Sequence, residues 1–205
     1  MKPPKLLRRA FFNRDPRIVA RELLGKLIVR REGRKRTAGR IVEVEAYLGA
    51  GDLAAHAAAG HTARNSVLWG PPGHAYVYFI YGVHYCLNIS CLPAGDAGCV
   101  LIRALEPVTG IADMAHARGL AELDMTSVRD LRKLASGPGK LCEALGITRP
   151  RDNNKDMLSP ESDLQVMSDS FRVPEVAVTP RIGIIKAAEL PLRYVIAGNM
   201  FLSKK

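Results

Sequence analysis

The alternation of apolar and polar residues is clearest over Gly39 to Gly49, which reads Gly-Arg-Ile-Val-Glu-Val-Glu-Ala-Tyr-Leu-Gly. Side chains alternate faces along a strand, so Val42, Val44, Ala46 and Leu48 share one side and Ile41, Glu43, Glu45 and Tyr47 the other. The first face is wholly apolar and belongs to a core. The second carries two carboxylates and a tyrosine among β-branched residues bounded by glycines, the pattern of a half-buried strand. On pattern alone, an ordinary surface face that tolerates glutamate reads equally well.

Upstream, Pro16 begins a helical period in which Ile18, Val19, Leu23 and Leu24 share a face, and Gly25 ends it. Lys26 to Arg31 reads as a strand, and Glu32-Gly33-Arg34 as the hairpin turn into the Glu45 strand. Gly49 to Pro72 is rich in loop signals, and Ala75 to Ser90 reads as two strands joined at Tyr81-Gly82. That join leaves Tyr81 and Val83 at the tip, where an apolar side chain either packs on a neighbouring loop or serves as a wedge between stacked bases. Val100 to Leu105 is an apolar strand interrupted by Arg103, which fits a structural ion pair or a site role. Ile111 to Leu134 mixes helical periods with polar loops. Lys140 to Leu145 is a short helix entered through Gly137-Pro138-Gly139, a start that can present backbone N–H groups to a phosphate. Pro150 to Ser170 reads as a surface loop, and Val176 to Ile185 and Leu192 to Ile196 as closing strands that carry Arg181 and Arg193.

At 205 residues and 47% hydrophobic content, the chain fits one well-filled core. No apolar run approaches the roughly 20 residues needed to cross a bilayer, and the start Met1-Lys2-Pro3-Pro4-Lys5 lacks the apolar stretch of a signal peptide. The net charge of +10 is uneven: residues 1–40 hold 14 Lys and Arg against 3 Asp and Glu. Residues 1–10 read as a loose basic arm. A basic segment beside a near-neutral body implies a polyanionic partner or a solubilising tail. Cys86, Cys91, Cys99 and Cys142 show neither a Cys-x-x-Cys pair nor a zinc or iron–sulfur spacing, so they read as buried free thiols.

Several blocks in fixed order then carry a resemblance. They are VARELLGK at Val19–Lys26, the Glu45 strand, Ala54-Ala55-His56, TARN at Thr62–Asn65 and GHAYVYFIYGVHYCLNIS at Gly73–Ser90. VLIRALEP at Val100–Pro107, SGPGKL at Ser136–Leu141, PRIGI at Pro180–Ile184 and PLRYV at Pro191–Val195 follow. Together they resemble the alkyladenine (3-methyladenine) DNA glycosylases, monofunctional enzymes of base-excision repair, from Phe11 to Gly198. The resemblance implies an α+β fold: one domain over residues 11–205, with a mostly antiparallel curved sheet, surrounding helices and a protruding hairpin.

It also implies roles. Glu45 would be the general base and Arg103 its neighbour, positioning the water or a flanking phosphate. Tyr47, His56 and Tyr78 would form the aromatic base pocket, and Asn88 would crowd the purine 2-amino edge. Tyr81 would be the wedge, with Val83 beside it. Arg64, Lys140, Arg181 and Arg193 are the candidate contacts to the DNA backbone. A lone loop histidine such as His56 is otherwise a surface or capping residue, and Tyr76 and Tyr85 are as readily core. Ala57, Ala63, Leu68 and Trp69 depart from the family's usual residues, which bears on substrate breadth.

The expected reaction is hydrolysis of the N-glycosidic bond of alkylated or deaminated purines (3-methyladenine, 7-methylguanine, hypoxanthine, etheno-adenine) flipped out of double-stranded DNA. The transition state is oxocarbenium-like and a carboxylate activates water. Gly39 to Gly49 and the Tyr81 hairpin hold no lysine to form a Schiff base, so no lyase step is expected. No metal, cofactor or membrane is expected, and the protein is expected to act as a monomer in the bacterial cytoplasm beside the nucleoid, or in a eukaryotic nucleus. The rivals are a non-catalytic nucleic-acid-binding protein or damage sensor, which leaves Glu45 without purpose, and a hydrolase of free nucleosides, which leaves the basic arm without one.

Overall fold

A computed structural model describes residues 3–120 and 122–204. Among them nine strands form one sheet, every pairing antiparallel, with six helices around it. The strands are β1 (Lys5–Leu6), β2 (Leu27–Glu32), β3 (Lys35–Tyr47), β4 (Ala75–Ile80), β5 (His84–Cys91), β6 (Gly98–Thr109), β7 (Leu164–Ser168), β8 (Val176–Thr179) and β9 (Arg193–Ile196). The helices are α1 (Arg9–Phe12), α2 (Pro16–Leu23), α3 (Ile111–Ala117), α4 (Val128–Ala135), α5 (Pro138–Ala144) and α6 (Arg149–Asp152). The sheet runs β1-β7-β2-β3-β6-β5-β4. This is the α+β architecture expected from the chain, with β4 and β5 as the hairpin.

β3 is the spine. β6 lies along one edge; on the other, β2 pairs as far as Arg40 and β9 takes over at Glu43–Glu45. Buried on both sides, β3 is not the half-buried strand its alternation predicts: Glu43 and Glu45 are fully buried. Its phase also slips, because Ile41 faces Leu105 and Glu43 faces Ala104, leaving Val42 as the extra residue of a bulge. Ile41 thereby joins Val42, Val44 and Ala46 in the core, and the two glutamates keep the opposite face.

α2 starts as predicted: the Asp15 carboxylate accepts from the Arg17 N–H at 2.8 Å and Pro16 takes the first turn. Val19, Ala20 and Leu23 face the core, but Ile18 is 49% exposed, on the outer side of the helix. The expected loose arm gives way from Lys5 onward, since Lys5 and Leu6 pair with Ser168 and Met167, and Arg9 bonds Asp156 and the Pro72 carbonyl. Met1 and Lys2 lie outside the described residues.

The segment from Pro150 to Ser170 is not a surface loop. β7 lies between β1 and β2, and Leu164 and Val166 are fully buried. Its acidic residues have a structural use: Arg30, buried on β2, donates to Asp152 at 2.8 Å and to Asp163 at 3.0 Å. A buried guanidinium needs such partners, and the Asp-rich stretch supplies them. β8 stops at Thr179, short of the strand expected to reach Ile185; the residues beyond it turn towards the hairpin and form part of the site.

Candidate active site

Side-chain alternation on the hairpin builds one wall. On β4, Ala75 and Val77 enter the core while Tyr76, Tyr78 and Ile80 line a cavity; on β5, Leu87 and Ile89 enter the core while His84, Cys86 and Asn88 line it. Tyr47 from β3, Cys99, Leu101 and Arg103 from β6, and His56 form the floor and far side. Pro138 and Gly139 at the start of α5, and Ile182–Ile184 beyond β8, close the rim. The cavity holds about 310 Å³, the scale of a small-ligand site.

Glu45, fully buried on β3, is held by groups on the far side of the cavity from the hairpin's outer strand. Its Oε1 accepts from the Ile182 N–H at 2.8 Å and lies 3.2 Å from Nη1 of Arg103, and its Oε2 accepts from the Tyr47 hydroxyl at 3.0 Å. Tyr47, Arg103 and Ile182 all line the cavity. A carboxylate offers about four acceptor positions, so the two hydrogen bonds, with Arg103 alongside as an ion-pair partner, leave Glu45 with acceptor capacity to spare. Burial, followed by the charge of Glu45, pushes the Tyr47 phenol up, so it stays protonated and donates.

Glu43, two residues back on the same face, accepts from Arg103, Arg193 and Ser203. Burial alone would raise its pKa. Hydrogen bonds from Arg193 and Ser203 and the charge of Arg103 outweigh burial and hold it below the usual carboxylate range.

The aromatic lining is one packed group. His56 meets Tyr78 edge-on at 4.5 Å between centroids, and its Nδ1 lies 2.7 Å from the Tyr76 hydroxyl. Burial, with Arg64 adding to it, pushes His56 down towards the neutral imidazole, while burial pushes Tyr76 up to about 12. Tyr76 is both pocket and core: it lines the cavity yet is 1% exposed and buried with Ala57, Val67 and Leu68, whereas Tyr85 packs on Phe79 and the main core. The His56 loop is pinned by Asn65, whose Nδ2 donates to the His56 and Gly60 carbonyls at 3.1 and 2.8 Å. Asn88 is held against the wall by its own Nδ2 bond to the Tyr76 carbonyl at 3.2 Å.

At the tip, Tyr81 is 79% and Val83 65% exposed. Tyr81 (φ 55°) and Gly82 (φ 70°) are consecutive left-handed residues, the geometry of a tight hairpin turn. Glycine adopts it freely, but a tyrosine there costs about 1–3 kcal/mol, a strain that clusters at functional sites.

Two of the expected DNA contacts are corrected. Arg181 is fully buried and makes a two-pronged ion pair with the equally buried Asp52, at 2.5 and 2.8 Å, while stacking 4.7 Å over the Tyr47 ring. Arg193 is buried on Glu43, on Thr179 and on the Lys204 carbonyl. Neither faces solvent. Arg64 and Lys140 are exposed, Arg64 on a depression that adjoins the cavity and also holds Lys186. Sequence reasoning missed Asp52, Asn65, the structural use of Glu43 and the Ile182 N–H; a loop aspartate and a backbone group leave no periodic signal.

The site thus joins a fully buried carboxylate, an aromatic cavity and an exposed tyrosine in a left-handed turn at its rim. The chain matches the methylpurine-DNA glycosylase (MPG) family over residues 10–200. It is 64% identical over 199 residues to a protein of Koribacter versatilis named as a candidate 3-methyladenine DNA glycosylase, covering 97% of this chain and 93% of that one. Relatives of the same name occur in Methanoculleus marisnigri, 48% identical over 200 residues (96% and 97% covered), and Rhodopseudomonas palustris, 48% over 202 residues (98% and 92% covered). The chain belongs to the methylpurine-DNA glycosylase family and is a DNA glycosylase, a hydrolase of DNA repair.

Proposed function

We propose that the protein hydrolyses the N-glycosidic bond of alkylated and deaminated purines, 3-methyladenine and hypoxanthine among them, after the nucleotide is flipped out of duplex DNA. The carrying observation is Glu45, held by hydrogen bonds from the Tyr47 hydroxyl and the Ile182 N–H and by the Arg103 ion pair, all three groups lining the aromatic cavity. A spare acceptor position on Glu45 takes a proton from a water, which attacks C1′ of the sugar as the bond to the base breaks. Arg103 and the Ile182 N–H keep the carboxylate from turning away.

The purine ring stacks between Tyr47, Tyr78 and His56, a surface suited to flat and cationic alkylated bases. Cationic bases leave as neutral molecules without further protonation, and hypoxanthine leaves as its anion, which then takes a proton from solvent. The base opens a place in the duplex when it is extruded, and Tyr81 fills it.

The test is release of bases from alkylated duplex DNA, scored as free base and as abasic sites. Glu45→Gln keeps the shape and removes the base, so turnover should fall by a factor of about a hundred or more with binding of damaged DNA retained. Near-normal turnover in this variant sinks the assignment. Binding without any base release by the unaltered protein supports a damage sensor instead.

A further inference from the structure

Glu43 and Glu45 share one cluster with Arg103 and Arg193, and the end of the chain completes it. All four side chains are at least nine-tenths buried. Oε1 of Glu43 accepts from Nε of Arg103 at 2.9 Å, Nε of Arg193 at 2.8 Å and the Ser203 hydroxyl at 2.7 Å, and Oε2 accepts from the Ser203 N–H at 2.6 Å. Arg103 divides its nitrogens: Nε goes to Glu43, Nη1 faces Glu45 at 3.2 Å and Nη2 donates to the Ser203 hydroxyl at 3.4 Å. The guanidinium is planar and rigid, so fixing Nε and Nη2 fixes where Nη1 points. Arg193 donates to the Lys204 carbonyl at 2.7 Å, and Arg132 to that of Leu202 at 3.0 Å, which seats the C-terminal segment against the cluster.

We propose that Glu43 is a positioning residue for base excision, and that Ser203 makes the C-terminal segment part of the catalytic apparatus, the two together aiming Arg103 at Glu45. The inference rests on the reading that Glu45 activates the water. A fold-only role for Glu43 would be met by Arg193 alone; Glu43 and Ser203 also take two of the three Arg103 nitrogens.

The charges give a readout that packing would not move. Around Glu45 stand Tyr47 on its own strand, Arg103 on β6, Arg193 on β9 reaching Glu43, Arg181 above Tyr47, Cys86 on β5 and Glu43 itself. Neutralising Glu43 leaves two guanidiniums facing one carboxylate, which favours the ionised base.

Single-turnover excision is measured from pH 5 to 9 on a duplex carrying one hypoxanthine, with the unaltered protein, Glu43→Gln, Ser203→Ala and Glu45→Gln. In Glu43→Gln the maximal rate should fall about tenfold with KM within about twofold, and the acid limb should move down by about one pH unit. Ser203→Ala keeps the backbone donor and should lose about threefold in rate at unchanged KM. If Glu45→Gln stays active, the reading underneath is wrong. If Glu45→Gln is dead while folded Glu43→Gln keeps both its rate and its acid limb, the positioning role is wrong. Should Glu43→Gln not fold, Ser203→Ala and deletion of residues 203–205 decide: unaltered rates in both overturn the proposal.

Discussion

Removing the charge of Asp52 separates a structural Arg181 from one that grips DNA. Both side chains are fully buried, and they exchange two hydrogen bonds at 2.5 and 2.8 Å. Asp52 also accepts from the Leu48 and Ala54 N–H groups at 3.2 and 3.1 Å, and Arg181 donates to the Ala46 carbonyl at 3.1 Å. Asp52→Asn keeps the shape but sets an amide N–H₂ against guanidinium N–H groups, leaving a buried cation without its counter-charge. Breaking such a pair by removing one partner costs about 3–5 kcal/mol. In a chain of this size each kcal/mol lowers Tm by about 2–4 °C, so the fall should be about 6–20 °C.

The loss should also reach the chemistry, because Arg181 precedes Ile182, whose N–H holds Glu45 at 2.8 Å. Slack at Arg181 moves that donor, and the single-turnover rate measured well below Tm should fall about tenfold. The assay pairs thermal unfolding followed by circular dichroism with excision at low temperature, and adds DNA affinity at several salt concentrations. A melting point within about 2 °C of the unaltered protein would refute the buried-pair reasoning. So would a well-folded Arg181→Gln whose salt slope drops by about one, the mark of a lost phosphate contact.

Four further outcomes are expected. Burial raises Asp52, Asp163 and Glu43 but their hydrogen bonds and cations outweigh it, bringing Asp163 to about 2, and the Arg40 hydrogen bond lowers Asp169. The folded state then binds fewer protons than the unfolded one, so urea midpoints should hold level above about pH 5 and fall towards pH 2; a level midpoint throughout would count against these pairs. Tyr81→Gly removes the wedge and the left-handed strain, so the protein should be at least as stable, by up to about 1 kcal/mol, while excision slows; normal excision would return Tyr81 to packing. If Asn88, which lines the cavity, is the filter at the purine 2-amino edge, Asn88→Ser should raise guanine excision relative to hypoxanthine, and an unchanged ratio in a folded variant rejects it. Arg64→Gln and Lys140→Gln should each lower the salt slope of DNA binding by about one without changing which bases are released; unchanged slopes would remove them from the DNA surface.

What the sequence showed of the fold is what local periodicity encodes. Alternation on Ala75–Ile80 and His84–Cys91 survives into the structure as a core face and a cavity face, and the Tyr81-Gly82 join is the turn. The bulge at Val42 was not legible, since one unpaired residue reverses the phase while leaving the composition untouched. The ion pairs were hidden for a different reason. Asp52 and Arg181 lie 129 residues apart, and Glu43 and Arg193 lie 150 apart. An arginine in a strand looks the same whether its partner is a phosphate or a carboxylate from the far end of the chain. The Asp-rich stretch from Pro150 misled in the same way, reading as solvent-facing because Arg30, its buried partner, sits in another strand.

The concentration of positive charge in residues 1–40 points to a polyanion, but its placement changes the argument. Arg9, Arg14, Arg17, Arg30, Lys35 and Arg40 each pair with a carboxylate, and Arg31 donates to the Pro160 and Ser162 carbonyls. Several of those carboxylates, at Asp113, Asp152, Asp156 and Asp169, belong to the part of the chain that looked neutral. The β2–β3 turn with Arg34–Arg36 is also at the far end of β3 from Glu45, about 30 Å away at the usual strand rise. A duplex advances about one turn over that distance, which sets these cations about one turn of a duplex away from the cavity. Arg64, Lys140 and Lys186 are exposed, and Arg64 and Lys186 share the depression beside the cavity. Part of the basic excess of residues 1–40 is thus met by carboxylates from later segments, in buried pairs at Arg30 and Arg40 and in exposed ones at Arg9 and Lys35. Arg64 and Lys186 are exposed cations placed beside the cavity, where a polyanion would meet them.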